Sequence, residues 1–207
     1  MKVLLINGSP RANGCTFTAL SEIAETLNAE NIETEIVQLG NKPVQDCIGC
    51  GGCAGKGKCV FSNDCVNELI DKAKYADGFV FGTPVYYAHP SGRILSVMDR
   101  LFYAGGKNFE HKPAAVIASA RRAGTTAALD AISKHLGITQ MPIISSTYWN
   151  MVHGNTPEET VRDAEGMQTM RNIALNMAWI LKCIEAGKRS GITAPQAEKT
   201  ARTNFIR

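Results

Sequence analysis

A large excess of charge of either sign is lacking in this sequence: 207 residues carry a formal net charge of +3 with no basic stripe, which argues against a nucleic-acid partner. Long apolar runs are lacking too. The first stops at Ile6, too short for a signal peptide or a membrane span, so a cytoplasmic protein that meets no membrane is expected. Cysteine is lacking from most of the chain, which excludes a disulfide scaffold spread through the fold. Five of the seven cysteines fall between Cys47 and Cys65, which points to metal or redox chemistry, while Cys15 and Cys183 are expected to be buried. Histidine lacks partners: His89, His111 and His135 have no carboxylate at ligand or triad spacing and read as surface residues. His153, near Tyr148 and Trp149, either packs or lines the edge of a pocket.

The familiar nucleotide loops are missing as well. There is no G-x-x-x-x-G-K-[ST] of a triphosphate loop and no G-x-G-x-x-G of a dinucleotide fold. Ser21, not Arg, stands where the anion loop of a cysteine phosphatase starting at Cys15 would need its cation. What is present is an apolar run, Val3-Leu4-Leu5-Ile6, that breaks into Asn7-Gly8-Ser9-Pro10-Arg11-Ala12-Asn13-Gly14-Cys15-Thr16. Phe17, Leu20, Ile23, Ala24 and Leu27 then recur at helical spacing. A loop so placed lies at a helix N-terminus, where free N–H groups and the helix dipole favour an anion. The hydroxyls of Ser9, Thr16 and Thr18 and the guanidinium of Arg11 add donors suited to one terminal phosphate monoester. A helix merely capped by Ser or Thr has no need of a loop this long.

Further along, residues 33–39 alternate polar and apolar, as a strand near a sheet edge does. Residues 40–64 form a Gly- and Cys-rich connection without period, long enough to be functional. Val66, Leu69, Ile70 and Ala73 mark a helix capped by Asn63 or Asp64, residues 78–82 a buried strand, and residues 83–90 an aromatic turn. Ile94, Val97, Met98, Leu101 and Phe102 mark a helix, residues 114–119 a fourth strand, and residues 120–126 an Arg- and Gly-containing loop. A helix from Ala127 to Leu136 leads to a weaker fifth strand at residues 141–144, and Pro157 opens a short helix. Met167, Met170, Ile173, Ala174, Met177, Ile180, Leu181 and Ile184 read as the packed face of a long last helix stopped by Gly187. The polar stretch 188–207 reads as a tail, or as an arm onto a partner subunit.

Strands alternating with helices predict an α/β fold: a doubly wound five-stranded parallel sheet of order 2-1-3-4-5, with helices on both faces. The loops at Gly8, Thr83 and Ser119 then converge outside the carboxyl ends of the strands. The helix 94–102 and the aromatic loops offer more apolar surface than one sheet face needs, which predicts a homodimer or homotetramer. A phosphate cradle facing an aromatic turn, with an Arg/Gly loop opposite, suits FMN, with Arg121 or Arg122 as the cation beside the ring. The run Cys47-x2-Cys50-x2-Cys53-x5-Cys59 is more like one that wraps a four-iron cubane than like the paired units of a zinc ribbon. Spacing alone leaves open a [4Fe-4S] cluster, a zinc or redox-thiol site, and cysteines that are simply packed or reactive.

From Gly8-Ser9-Pro10-Arg11, through the cysteine run and Thr83-Pro84-Val85-Tyr86, to Gly166-Met167-Gln168-Thr169, the chain resembles a known family over residues 1–186. That family is the flavodoxin-like NAD(P)H-dependent FMN reductases, and within it the iron-sulfur flavoprotein branch. The resemblance implies an FMN phosphate on Ser9, Arg11, Asn13 and Thr16. It sets the isoalloxazine between Pro84, Val85, Tyr86 and Tyr87 on one side and Ser119, Arg121, Arg122 and Gly124 on the other. It implies Cys47, Cys50, Cys53 and Cys59 as cluster ligands, with Cys65 spare and an acidic residue near it. The expected protein is then a flavin-dependent oxidoreductase whose domain spans residues 1–187 and whose chemistry sits on FMN rather than on a side-chain acid or base. It would relay electrons between FMN and the cluster and exchange them with a small redox carrier. Without the cluster, hydride transfer from NAD(P)H to a quinone, nitro or azo acceptor is the alternative, and a non-catalytic zinc-containing binding module is a remote one.

Overall fold

The computed structural model describes residues 1–205. The run Val3 to Ile6 forms β1 (Lys2–Asn7), buried on both faces as an unbroken apolar strand inside a sheet must be. In chain order there follow α1 (Cys15–Ala29), β2 (Glu33–Gln38), α2 (Val66–Ala73), β3 (Gly78–Tyr86), β4 (His89–Pro90) and α3 (Gly92–Gly105). The second half holds β5 (Ala114–Ala120), α4 (Thr125–Ile138), β6 (Met151–His153), α5 (Pro157–Arg162) and α6 (Ala164–Arg189). The sheet runs β2-β1-β3-β5-β6 with every neighbour parallel, and the two-residue β4 pairs antiparallel with the end of β3. With that short ribbon set aside, five parallel strands stand in the expected order.

Alternation along the strands divides the core. Leu4, Ile6, Phe79, Phe81 and Val116 meet α2, α3 and α4 on one face, while Val3, Leu5, Val80, Ala115 and Ile117 meet α1 and α6 on the other. Phe109 anchors the first face, with ring centroids 4.6 Å from Phe79 and 4.9 Å from Phe102. No helix among the described residues is long and apolar enough to cross a membrane.

Four details depart from the sequence reading. Residues 141–144 touch the sheet only briefly: Ile143 bridges Ala114, and pairing resumes at Met151 opposite Ala118. Eight residues of edge (143 to 151) thus accompany four of β5 (114 to 118), so the surplus loops outward with Tyr148 and Trp149 exposed on it. Residues 83–90 are not a free turn, because β3 continues to Tyr86 and folds back through Tyr87, at φ 60°, into β4. The last helix passes Gly187 and ends at Arg189, with Gly191 taking the left-handed conformation at φ 82°. Finally, Ile94, Val97, Met98 and Leu101 are spent inside the core, so of the apolar set expected on α3 for a second subunit Phe102 alone stays half-buried, beside the exposed Tyr103.

Candidate functional site

The loop after β1 is drawn tightly against β3. Gly8 donates its N–H to Gly82 O at 2.8 Å, and a Cβ on Gly8 would stand 2.9 Å from that oxygen and from Ile94 Cβ, so only glycine fits. Ser91 Oγ donates to Gly8 O at 2.8 Å and also caps α3 by accepting from Ile94 N. Ser9 N donates to Asn7 Oδ1 at 3.0 Å, Arg11 N donates to Ser9 Oγ at 3.2 Å, and Gln38 reaches over from β2 to donate to Ser9 O at 2.7 Å. The loop is thus held in shape by the protein's own hydrogen bonds.

It opens onto α1, whose N-cap is Gly14. No side chain among the described residues caps this terminus, and its first turn holds no acid, so N–H groups and the dipole are left for an anion. A cavity of about 150 Å³ lies there, lined by Ser9, Arg11, Thr16, Pro84, Val85, Tyr86, Ser119 and Arg121, and also by Cys15 and Asn155. Thr16 Oγ1 and Ser119 Oγ are 2.8 Å apart, joining α1 to β5 across the cavity floor. One of these hydroxyls donates to the other, so the acceptor keeps a proton to offer a ligand.

Four residues expected here lie off the lining. Asn13 is exposed in the loop, and Tyr87 is fully exposed at the tip of the β3–β4 hairpin. Arg122 turns its carbonyl to His153, whose Nε2 lies 3.1 Å away. Gly124 acts from behind: it caps α4 at φ 92°, and a Cβ there would stand 2.7 Å from Val85 Cγ1, so it sets how closely the hairpin approaches. Asp163 fixes the same edge by accepting from His153 N at 2.7 Å and from Gly166 N at 2.9 Å.

The second site is the connection between β2 and α2. Gly49, Gly51, Gly55 and Gly57 all take positive φ between 64° and 69°, which lets the chain turn repeatedly within a few residues. Cys47, Cys50, Cys53 and Cys59 line one cavity of about 160 Å³, closed by Ile48, Val60, Phe61 and Ala104, with Arg100 the one charged side chain in its wall. Among the described residues no three His, Cys, Asp or Glu side chains gather as they would round a single ion. Four thiols spread round an apolar cavity are a donor set for a larger group, and a four-iron cluster fits that chemistry.

Cys65 stands apart from that wall, at the N-terminus of α2, where burial and then the neighbouring Asp64 carboxylate push its thiol pKa up. The acid expected near Cys65 is this Asp64, whose Oδ1 also accepts from Val66 N at 3.1 Å. Cys15 is half-buried, and Cys183 is exposed rather than buried, because it falls on the outward side of α6. His135 has the carboxylate partner that spacing did not suggest: its Nε2 is 3.0 Å from Asp99 Oδ1, between α4 and α3.

Sequence reasoning missed the residue that organises the cysteine loop. Arg100 on α3 is only 1 % exposed, yet its guanidinium donates to Cys59 Sγ at 3.2 Å, Gln45 O at 2.9 Å and Phe61 O at 2.9 Å, and forks onto both oxygens of Asp64. Burial works against its charge, but the bonds to Asp64 and then Cys59 outweigh that and raise its pKa above the ordinary value. Asn67 completes the clamp, accepting from Cys59 N at 2.8 Å and donating to Cys59 O at 3.0 Å. The one signal in the sequence was a cation in register with Val97, Leu101 and Ala104 on a buried face.

A parallel sheet of this order, with a phosphate cradle at the head of α1 and an aromatic hairpin beside it, defines a flavodoxin-like protein. A solved flavodoxin from the domain Archaea superposes with a TM-score of 0.61 at 14% identity, over 88% of this chain and 99% of that one. The family model for NADPH-dependent FMN reductase matches residues 1–156. An iron-sulfur flavoprotein of Methanocaldococcus jannaschii is 32% identical over 193 residues, 89% of this chain and all of the relative. One of Archaeoglobus fulgidus is 31% identical over 185 residues, 86% of this chain and 90% of the relative. The chain belongs to the NADPH-dependent FMN reductase family, in its iron-sulfur flavoprotein branch: FMN-binding, flavodoxin-like oxidoreductases.

Proposed function

We propose that this protein is an electron-transfer flavoprotein that passes electrons between FMN and a [4Fe-4S] cluster held by Cys47, Cys50, Cys53 and Cys59. The observation that carries the reading is the placement of those four thiols in the lining of one apolar cavity. The relatives' names, which speak of iron-sulfur flavoproteins, support it. When bound, the two groups supply the redox chemistry, FMN handling an electron pair or a hydride and the cluster single electrons.

The chain's own part is to bind and to orient. The head of α1, with Ser9, Arg11 and the Thr16–Ser119 hydroxyl pair, holds the phosphate; Pro84, Val85 and Tyr86 face Ser119 and Arg121 across the same cavity and receive the ring. Arg121 supplies the cation that favours negative charge on the reduced ring. Both βα loops leave the sheet at its carboxyl end, so the cradle and the cysteine loop share one end of the molecule. A small redox carrier, or NAD(P)H with a small-molecule acceptor, completes the circuit.

The test is anaerobic purification with iron, sulfide and flavin counts and an absorbance spectrum. Stoichiometric FMN with iron and sulfide in four-to-one proportion to the chain is expected from four thiolate ligands. Stoichiometric FMN with neither iron nor sulfide would end the relay and leave an NAD(P)H-dependent flavin reductase with free loop thiols.

A further inference from the structure

The cysteine loop is held unevenly. Cys47, Cys50 and Cys53 sit on the glycine-rich part of the connection, where Gly49, Gly51 and Gly55 take positive φ, and Cys50 is exposed. Cys59 is fixed on three sides, through its backbone N–H and C=O by Asn67 and through its sulfur by Arg100 Nε. A guanidinium has five N–H bonds, and at Arg100 all five are engaged: Nε on Cys59 Sγ, Nη1 on Gln45 O and Asp64 Oδ2, and Nη2 on Phe61 O and Asp64 Oδ1. These acceptors span the loop from its first third to its end, so one buried side chain of α3 sets the shape of the whole connection.

The electrostatics at this point are simple. Asp64 is 6 % exposed and paired with Arg100, so the ion pair brings no net charge to the cavity. What reaches Cys59 is a directed N–H donor at 3.2 Å. A ligating sulfur becomes more negative when its cluster is reduced, and a donor to that sulfur then binds it more strongly.

On the reading above, we propose that Arg100 is a positioning residue for the iron-sulfur group, which seats Cys59 as its fixed ligand and raises the group's reduction potential through the Nε–Sγ hydrogen bond.

Two variants keep the local net charge and remove that bond. Arg100→Lys retains a cation for Asp64 but replaces a planar five-donor fork with a point charge. Arg100→Leu combined with Asp64→Leu removes both charges together, so that neither is left buried and unpaired. Each would be prepared anaerobically with its FMN and iron, and the potential read by spectroelectrochemical titration beside that of the parent. The expected result is a one-electron reduction equilibrium less favourable by about tenfold, a potential about 59 mV lower, with FMN retention unchanged. Should Arg100→Lys shed its iron, the double variant decides alone: a lowered potential upholds the proposal and an unchanged one overturns it. Parent potentials in both variants overturn it; loss of iron from both upholds the seating of Cys59 and overturns the effect on the potential, since Arg100 would then serve only to hold the loop. A parent without iron overturns the relay itself, and the proposal falls with it; a parent with iron whose variants keep its potential overturns the proposal alone.

Discussion

Gly124 shows how a residue that touches no ligand can govern a site. At φ 92° it occupies a backbone region that costs other residues about 1 to 3 kcal/mol, and the missing Cβ leaves room for Val85 Cγ1 and for Ala88 O. Gly124→Ala should therefore lower the unfolding free energy by about that amount and push back the hairpin that carries Pro84, Val85 and Tyr86, weakening FMN in a fluorescence titration. Gly92→Ala, where a Cβ meets open space in the first turn of α3, should leave both unchanged or gain slightly in stability. Equal effects at the two positions would remove the role assigned to Gly124. Such residues are half legible. Ser9, Arg11, Thr16, Ser119 and Arg121 stood out because polar groups interrupt apolar runs at strand ends, and the structure brings them onto one cavity. Arg100 did not, because a charged side chain is assigned to solvent by default even where it stands in register with an apolar face, and its tertiary partners supply the reason for the exception.

Among the elements, those with strong periods fell where expected and the edge did not. Residues 141–144 are apolar enough for a strand, but Pro142 has no N–H to give and the edge needs only one neighbour, so pairing moves on to residues 151–153. The opposite edge is held by charge. Glu35 on β2 accepts from Lys72 on α2 at 2.6 Å and pairs with Lys2 on β1 at 2.9 Å, and these bonds, Lys72 first, hold its carboxyl below its ordinary value near 4.5. A carboxylate whose folded pKa is depressed stabilises the fold above the unfolded pKa and loses that contribution as pH falls through the folded one. Glu35→Gln should accordingly lower the denaturation midpoint at pH 7, with the gap to the parent closing as pH drops below about 4.5. A gap that persists unchanged at pH 3 would mean that Glu35 acts by packing and not by charge.

For the molecule as a whole, the cradle and the cysteine loop share the carboxyl end of the sheet yet rest on different elements. The cradle belongs to β1, α1 and the β3–β4 hairpin, and its floor is the Thr16–Ser119 pair. The cysteine loop is fastened to α2 and α3 through Asn67 and Arg100. Damage to one should therefore spare the other. Replacing Cys47, Cys50, Cys53 or Cys59 with Ala should release iron and abolish the broad absorbance that a cluster adds near the flavin bands, because an iron left with one open position is exposed to oxygen. FMN should stay bound in all four variants, with flavin fluorescence titrations matching the parent. Cys65→Ala should keep both groups, since the Cys65 thiol is driven toward its neutral form by burial and by Asp64 and stands outside the cavity wall. Iron loss from Cys65→Ala would mean that the ligand set is wrong by one position. Parallel loss of FMN and iron from a single cysteine variant would mean that the two sites are one cooperative unit, with the cysteine loop closing over the cradle.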